Sequence, residues 1–566
     1  MKALPRLFLP VLSAICVACV QKNVEDSLPP LPPFPEIPDP APITSISLGS
    51  LDDFPEETLD LPVTPGPFQP NWESIEENYP GTPGWLRDAK FGIWVHFGPQ
   101  SYGESGDWYA RNLYDETNER AYQNHLKRFG HPSEVGYKEV LRDWNPYKLD
   151  PARLTALYKK AGARFLLIQG VHHDNFDMWD SKYQPWNSVN LGPKRDLLKE
   201  WTDACRKEGM RYGVTFHHEY TWWWWQTAFG SDSEGDKAGV PYDGNLKPED
   251  GQGKWWEGYD PRMLYGIDLR EYKTVGPPNV VPDDGIFTRH LDYARWYATQ
   301  WALRIMDVTH NYDPDFIYTD GTSQGPFCGT GTGTGYKCNA MPLVMADFYN
   351  RVKRDRGDVD VFSVVKFRSP TNGTVTTEEF GFPDGIKSDQ PWIRETPVGD
   401  WFYAPGITYD AKSVIRVVIE AVCRDGNAAV SIPIKPDGSL EEACERMLEE
   451  VGEWMDACGE AVYGSSAWKT MGKRTDEARF LPEDIRFTLG KNGCAYAFFM
   501  EVPEPGQLVR IKSMGLKAGL MGQVKGVSLL GHEGELQWNR TDEALEILCP
   551  EQLPFKSAIV FRIDNE

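Results

Sequence analysis

The sequence lacks the excess of positive charge that nucleic-acid binding demands. Its 59 Lys and Arg stand against 83 Asp and Glu, a formal charge of −24 over 566 residues. Such a chain carries no basic stripe for a phosphate backbone, and an anionic membrane surface does not attract it. Apart from Cys16 and Cys19 in the N-terminal apolar run, none of its 10 cysteines forms a C-x-x-C pair, which argues against structural zinc and a thioredoxin-type site. H-E-x-x-H is absent. Gly329 to Gly335 is repetitive but is not followed by Lys-Ser/Thr before a helix, so nucleotide binding is not expected. Leu7 to Val20 is too short to span a bilayer, no other stretch reaches the roughly 18 uninterrupted apolar residues of a spanning helix, and there is no internal repeat. Aromatic residues, by contrast, are plentiful. The 21 tryptophans supply flat apolar faces for a dense core or for ring-shaped ligands.

The N-terminus reads as an export signal, with Lys2 and Arg6 before the apolar run Leu7 to Val20. That run ends in Cys16-Val17-Ala18-Cys19, which resembles a bacterial lipobox with Cys16 in place of its usual Leu. A periplasmic or cell-surface lipoprotein anchored through Cys19 is expected, with plain secretion as the alternative. Pro29 to Pro70 is rich in Pro and acidic residues without helical or alternating period, the composition of a stiff tether. Cys328 and Cys338 bracket the Gly/Thr-rich loop, where a disulfide and buried free thiols are both compatible with an oxidising compartment.

From about residue 87, short apolar runs alternate with amphipathic segments. Lys90 to Gly98, Arg164 to Gly170, Arg211 to His218 and Asp315 to Gly321 read as buried strands. Pro151 to Ala161, Leu197 to Glu208 and Thr288 to Thr309 read as helices. This alternation predicts an α/β fold, a (β/α)8-type barrel. After Gly464, short strands separated by Gly, Pro and acidic turns predict a C-terminal β-sandwich. The expected organisation is a signal peptide over 1–19, a Pro-rich linker over 20–74, a catalytic barrel over 75–464 and the sandwich over 465–566.

Polar residues gather at the strand ends, where barrels place their active sites. His96, His172 and His217 each follow a strand, and His173 adjoins His172. Adjacent histidines on a strand face opposite ways, so they meet one ligand only if the strand has already ended. Imidazoles donating to ligand hydroxyls are the preferred reading, and neither a metal nor an organic cofactor is expected. Asp320 follows the buried run Phe316-Ile317-Tyr318-Thr319 and precedes Gly321. There it serves either as nucleophile or base or as the cap of an Asp-Gly turn. Glycoside hydrolysis needs a second carboxyl, and Glu378, Glu379 and Glu395, near Trp392, are the downstream candidates. Trp222 to Trp225 cannot all share one face, so they divide between core and cleft.

Taken together these residues resemble glycoside hydrolase family 29, the α-L-fucosidases. AKFGIWVHFG (89–98) resembles the family's AKFGIFIHWG. VHHDNF (171–176) with WDSK (179–182) resembles KHHDGF and WxSK. YTDG (318–321) resembles WFDG, and the stretch from Pro391-Trp392 to Gly399-Asp400-Trp401 resembles PWE/PWQ…IGxW. The resemblance implies a retaining exo-glycosidase that releases terminal α-L-fucose from fucosylated oligosaccharides or polysaccharides. It puts Asp320 on the nucleophile and His96, His172, His173 and Trp108 on sugar-holding positions. Asp107, His217 and Trp392 join the expected substrate-binding set. Glu379 is the first choice of acid/base and Glu378 the second. Val171, Asp107, Ile393 and Thr215 to His218 depart from the family pattern, which leaves α-L-galactose or a sulfated fucan as alternative substrates. A carbohydrate-binding lipoprotein without catalysis is the alternative of a different class.

Overall fold

The computed structural model describes residues 27–37, 57–219, 221–269, 290–320, 338–366, 372–475 and 479–565, with the side chains of Trp222 and Trp223 left aside. The expected export signal and lipobox, Cys328 and the loop Gly329 to Gly335 lie outside the described residues.

Eight parallel strands close into a barrel: β1 (Phe91–Val95), β2 (Phe165–Val171), β3 (Arg211–Phe216), β4 (Phe316–Thr319), β5 (Phe362–Val365), β6 (Thr374–Glu379), β7 (Trp392–Pro397) and β8 (Asn427–Ser431), with β8 pairing back onto β1. β1, β2, β4, β5 and β8 are buried along their whole length, as expected of strands sheltered on both faces. Around them run helices that include α1 (Pro151–Lys160), α2 (Leu197–Glu208), α3 (Leu291–Tyr312), α4 (Ala340–Arg356), α5 (Ala411–Val422) and α6 (Glu442–Cys458). α1 starts with Pro151 in its first turn and Asp150 capping the Arg153 amide at 3.0 Å. α2 is capped by Asp196 and stops at Gly209, whose φ is +65°. Both ends use the residues that satisfy orphaned helix groups.

Aromatics fill the barrel's lower interior. The rings of Phe316 and Phe362 stack at 4.6 Å, Phe165 lies 6.2 Å from Phe316, and Trp85 closes the end, 5.5 Å from Phe362. Gly92 and Gly213 leave the room: a Cβ on either would come within 2.5 Å of Phe165 or 2.2 Å of Phe316. The floor is therefore solid, and ligands have access only from the strands' C-terminal ends.

Beyond α6, β9 (Ser466–Ala467), β10 (Ile485–Leu489), β11 (Ala495–Phe499), β12 (Leu508–Ile511), β13 (Val524–Leu529), β14 (Trp538–Arg540), β15 (Leu545–Leu548) and β16 (Ile559–Asn565) form two antiparallel sheets, ordered β13-β16-β11-β10-β9 and β12-β15-β14. Phe487, Phe499 and Phe561 of one sheet share a core with Ile511, Leu545 and Ile547 of the other. β9 and β14 are too short to leave an alternating signature in the sequence. Trp454 on α6 ties the barrel to the sandwich by donating to the Ala558 carbonyl at 2.9 Å.

The stretch expected to be a free tether is, where described, part of the barrel's coat. Leu28, Leu31, Phe34 and Ile37 pack on the core. Tyr183 Oη donates to the Pro29 carbonyl and Trp296 Nε1 to that of Pro32, both at 2.9 Å. Further on, the amides of Leu59, Thr64 and Phe68 donate to Asn339, Asp347 and Asn350, at 2.8, 2.9 and 3.1 Å. An extended Pro-rich segment makes few internal hydrogen bonds, so its backbone groups need partners when buried. Polar side chains at the start of α4 and along it provide them. Cys205, Cys423, Cys444, Cys458, Cys494 and Cys549 are buried and unbridged. No described helix is long and apolar enough to cross a membrane.

Candidate active site

The barrel's own hydrogen-bond ladder continues one residue past the strand ends and sets the site. The amide of His217 bonds to the Val171 carbonyl at 3.0 Å, that of Asp320 to Phe216 at 2.9 Å, and that of Lys366 to Thr319 at 3.2 Å. Each of these tip residues thus inherits the register of the preceding strand. Side chains two apart share a face, so Trp94 lies beneath His96 and Tyr318 beneath Asp320. These groups line a cavity of about 180 Å³ with Asp107, Trp108, His172, His173, His217, Lys366, Glu379, Glu395 and Trp401. That is small beside the pockets of drug-sized ligands and fits a single sugar ring.

β2 resolves the problem of the adjacent histidines. The ladder shifts register between Gln169 and Val171, and the strand ends at Val171, so His172 and His173 both line the cavity. Bulges of this kind re-aim side chains beside functional sites. His173 Nδ1 donates to the His217 carbonyl at 2.5 Å and His217 Nδ1 to the Val171 carbonyl at 3.3 Å. A carbonyl only accepts, so each ring carries its proton on Nδ1 and Nε2 is its acceptor nitrogen. Burial holds all four imidazoles below their usual range, His173 at about 4, and neighbouring imidazoles push His96, His172 and His217 further down.

The charged half is organised on Lys366. Its Nζ lies 2.9 Å from Asp320, 3.0 Å from Glu379 and 3.9 Å from Glu395. Burial disfavours this ammonium, but the three carboxylates outweigh burial and raise its pKa. Glu395 accepts from Tyr318 Oη at 2.9 Å, and burial pushes its carboxyl up to about 7. Burial, reinforced by the neighbouring Asp400 carboxylate, also raises Asp107 well above the usual carboxylate range. Asp400 accepts from the amides of Asp107 and Trp401, at 3.1 and 2.8 Å, and thereby joins two loops that line the pocket.

Strand register separates the carboxylate candidates. Glu379 stands opposite Glu395 and Glu378 opposite Arg394. The first pair faces the cavity. Glu378 faces away and pairs with Lys387 at 3.4 Å. Trp392, expected to bind substrate, has the parity of Arg394 rather than Glu395. It is fully buried, and its ring packs where a Cβ on Gly426 would come within 2.3 Å. It is a core residue outside the cavity lining. Trp224 and Trp225 are likewise buried, with Trp224 5.7 Å from His173.

His96, His172 and His217 also present one ligand atom each within 4.8 Å of one another. Of the groups described, this triangle is the one that could hold a divalent cation, though the same nitrogens face the sugar-sized space.

The family model for alpha-L-fucosidase matches residues 58–460, and that for the alpha-L-fucosidase C-terminal domain matches 479–564. The chain belongs to the alpha-L-fucosidase family. Tissue alpha-L-fucosidase of Rattus norvegicus is 23% identical over 503 residues, 87% of this chain and 90% of that protein. The human tissue enzyme is 23% identical over 509 residues, 88% and 91% of the two chains. Among solved structures, Thermotoga maritima alpha-fucosidase superposes with a TM-score of 0.61 at 22% identity, covering 88% of this chain and 100% of its own. A Bacteroides thetaiotaomicron family-29 enzyme gives 0.56 at 16%, covering 91% and 98%. These likenesses extend the barrel-plus-sandwich architecture to the whole alpha-L-fucosidase pair of domains. Sequence reasoning missed Trp94, Tyr318, Trp401 and, above all, Lys366. It follows the apolar run Val361 to Val365 just as Asp320 follows Phe316 to Thr319, and that shared signature marks it.

Proposed function

We propose that this α-L-fucosidase-family hydrolase releases terminal α-L-fucose with retention of configuration, Asp320 acting as nucleophile and Glu379 as acid and then base. One observation carries the reading. Oxygens of Asp320 and Glu379 lie 2.9 and 3.0 Å from the same Lys366 nitrogen, so those oxygens are at most about 6 Å apart. Retaining enzymes hold their carboxyls about 5–5.5 Å apart, and inverting ones about 6.5–9.5 Å. Glu379 suits the acid role better than Glu395. Its side chain is 27% exposed at the mouth, where the leaving group must exit, against 1% for Glu395 at the floor.

In the first step an Asp320 oxygen bonds to the anomeric carbon as the glycosidic bond breaks, and Glu379 gives its proton to the departing oxygen. Glu379 then takes a proton from water, whose oxygen displaces Asp320. The His173 and His217 Nε2 nitrogens accept from sugar hydroxyls, and the Lys366 ammonium, 2.9 Å from Asp320, holds that carboxylate in place. Two facing carboxyls in a sugar-sized cavity argue for catalysis over mere glycan capture.

The test is hydrolysis of an aryl α-L-fucoside followed by NMR. Wild type should form α-L-fucose first, and Asp320→Asn should lose roughly a thousandfold or more in kcat. A β-anomer as first product refutes retention; an active Asp320→Asn enzyme refutes the nucleophile.

A further inference from the structure

Phe380, directly after Glu379, is placed where a core residue would not be. Its ring is 62% exposed, and its φ is +54°, a left-handed conformation unfavourable for a bulky L-residue. β6 bonds continue into it, its amide donating to the Glu395 carbonyl at 3.3 Å, so the turn is built at the end of an ordered strand. The strained backbone swings the ring beside Trp401, with centroids 6.0 Å apart and planes at 68°. Trp401 lines the cavity and contacts Trp94 and His96 at 5.4 and 5.2 Å. The two aromatics thus continue one wall from inside the pocket to its rim. Glycine at this position would relieve the strain and remove an exposed apolar ring, so stability does not explain Phe380. Strain that stability does not explain is characteristic of functional sites.

We infer that Phe380 is the platform of a leaving-group subsite, stacking against the pyranose to which the terminal fucose is attached. The inference rests on the roles proposed for Asp320 and Glu379. With the floor closed by aromatics, the fucosyl ring enters the cavity and its aglycone projects outward. The acid that protonates the glycosidic oxygen must lie beside that aglycone, and Phe380 is its immediate neighbour. A phenyl ring offers a flat apolar face to the C–H face of a sugar ring and asks nothing of its hydroxyl pattern. It therefore favours a sugar-bearing leaving group over a small one without fixing which sugar.

Calorimetry in the Asp320→Asn background separates this idea from catalysis. The quantity read is the affinity for a fucosylated disaccharide relative to that for free L-fucose. Phe380→Ala should lower that ratio about tenfold with the fucose affinity kept, and Phe380→Tyr should restore it. Phe380→Gly should show the same loss with an undiminished Tm, which excludes misfolding as the cause. An unchanged ratio in the alanine and glycine variants overturns the platform, as does an equal loss for both ligands. Failure of even wild-type chain to bind L-fucose would instead overturn the fucosidase reading, and this inference with it.

Discussion

Glu395 and Lys366 show how the pocket tolerates so many like charges. Glu395 stands directly across from Glu379, an arrangement that destabilises a sheet unless a cation intervenes. Lys366 is that cation, and it reaches Glu395 least well. The consequence is a pH dependence of known sign. A carboxyl raised from 4.5 to about 7 in the folded chain holds a proton there that the unfolded chain has released, so rising pH costs stability across that window. Glu395→Gln removes the effect. Between pH 4.5 and 7.5 the wild type should lose stability relative to the variant by up to about 3 kcal/mol. Paired urea melts read the difference, and parallel curves would mean Glu395 titrates normally. The same logic explains what could be read beforehand. An apolar run ended by a polar residue betrayed Asp320, His96, His172 and His217. Trp392 belongs to a motif beside the site, but strand parity, shared with Arg394, turns it outward.

Strand alternation and ladder register thus decide which motif residues meet. The cores of β1 to β4 were legible because buried parallel strands are nearly pure apolar runs, and their ends were legible to within three residues; β5 to β8, shorter or more polar, were not singled out. Contacts between elements distant in sequence were not. Glu420 on α5 is an example, since no local pattern distinguishes it from a surface glutamate. It accepts from Arg486 of β10 at 2.6 Å and also pairs with Arg424, with the Arg486 side chain only 1% exposed. This buried triad rivets the sandwich to the barrel. Removing the central anion leaves two sheltered guanidinium groups with carbonyl partners but no carboxylate, a loss of about 3–5 kcal/mol. Glu420→Ala should therefore lower the denaturation midpoint strongly, and Glu420→Gln, which keeps one acceptor, less so. An alanine variant with the wild-type midpoint would show that the arginines find other partners.

The pocket is lined by residues of the barrel domain, while the sandwich and the N-terminal arm pack on the barrel from outside, and the arm's share was the least visible. Its composition predicts extension, and extended it is, but composition says nothing about what an extended segment lies upon. Two stretches grip the barrel differently. Residues 27–37 are held chiefly through Phe34, 4.6 Å from the Trp296 ring with the Arg262 guanidinium 4.4 Å from its own centroid. Residues 57–71 contribute buried Leu59 and Phe68 and satisfy Asn339, Asp347 and Asn350 through buried hydrogen bonds. Starting the chain at residue 57 should thus lower Tm modestly, by the loss of one aromatic contact and its neighbours. Starting it at residue 72 uncovers two apolar side chains, each worth about 1.5–3 kcal/mol. It also strips the arm's hydrogen bonds from the Asn339 and Asn350 amides and from one oxygen of Asp347, whose other oxygen stays with His310, at about 1–3 kcal/mol each. The sum is a large part of a domain's whole stability, so this shorter chain should unfold near ambient temperature or fail to accumulate. Thermal melts of the two truncations against the chain starting at residue 27 test this. If the chain starting at 72 melts with the others, the arm is a tether after all, and the barrel's coat is complete without it.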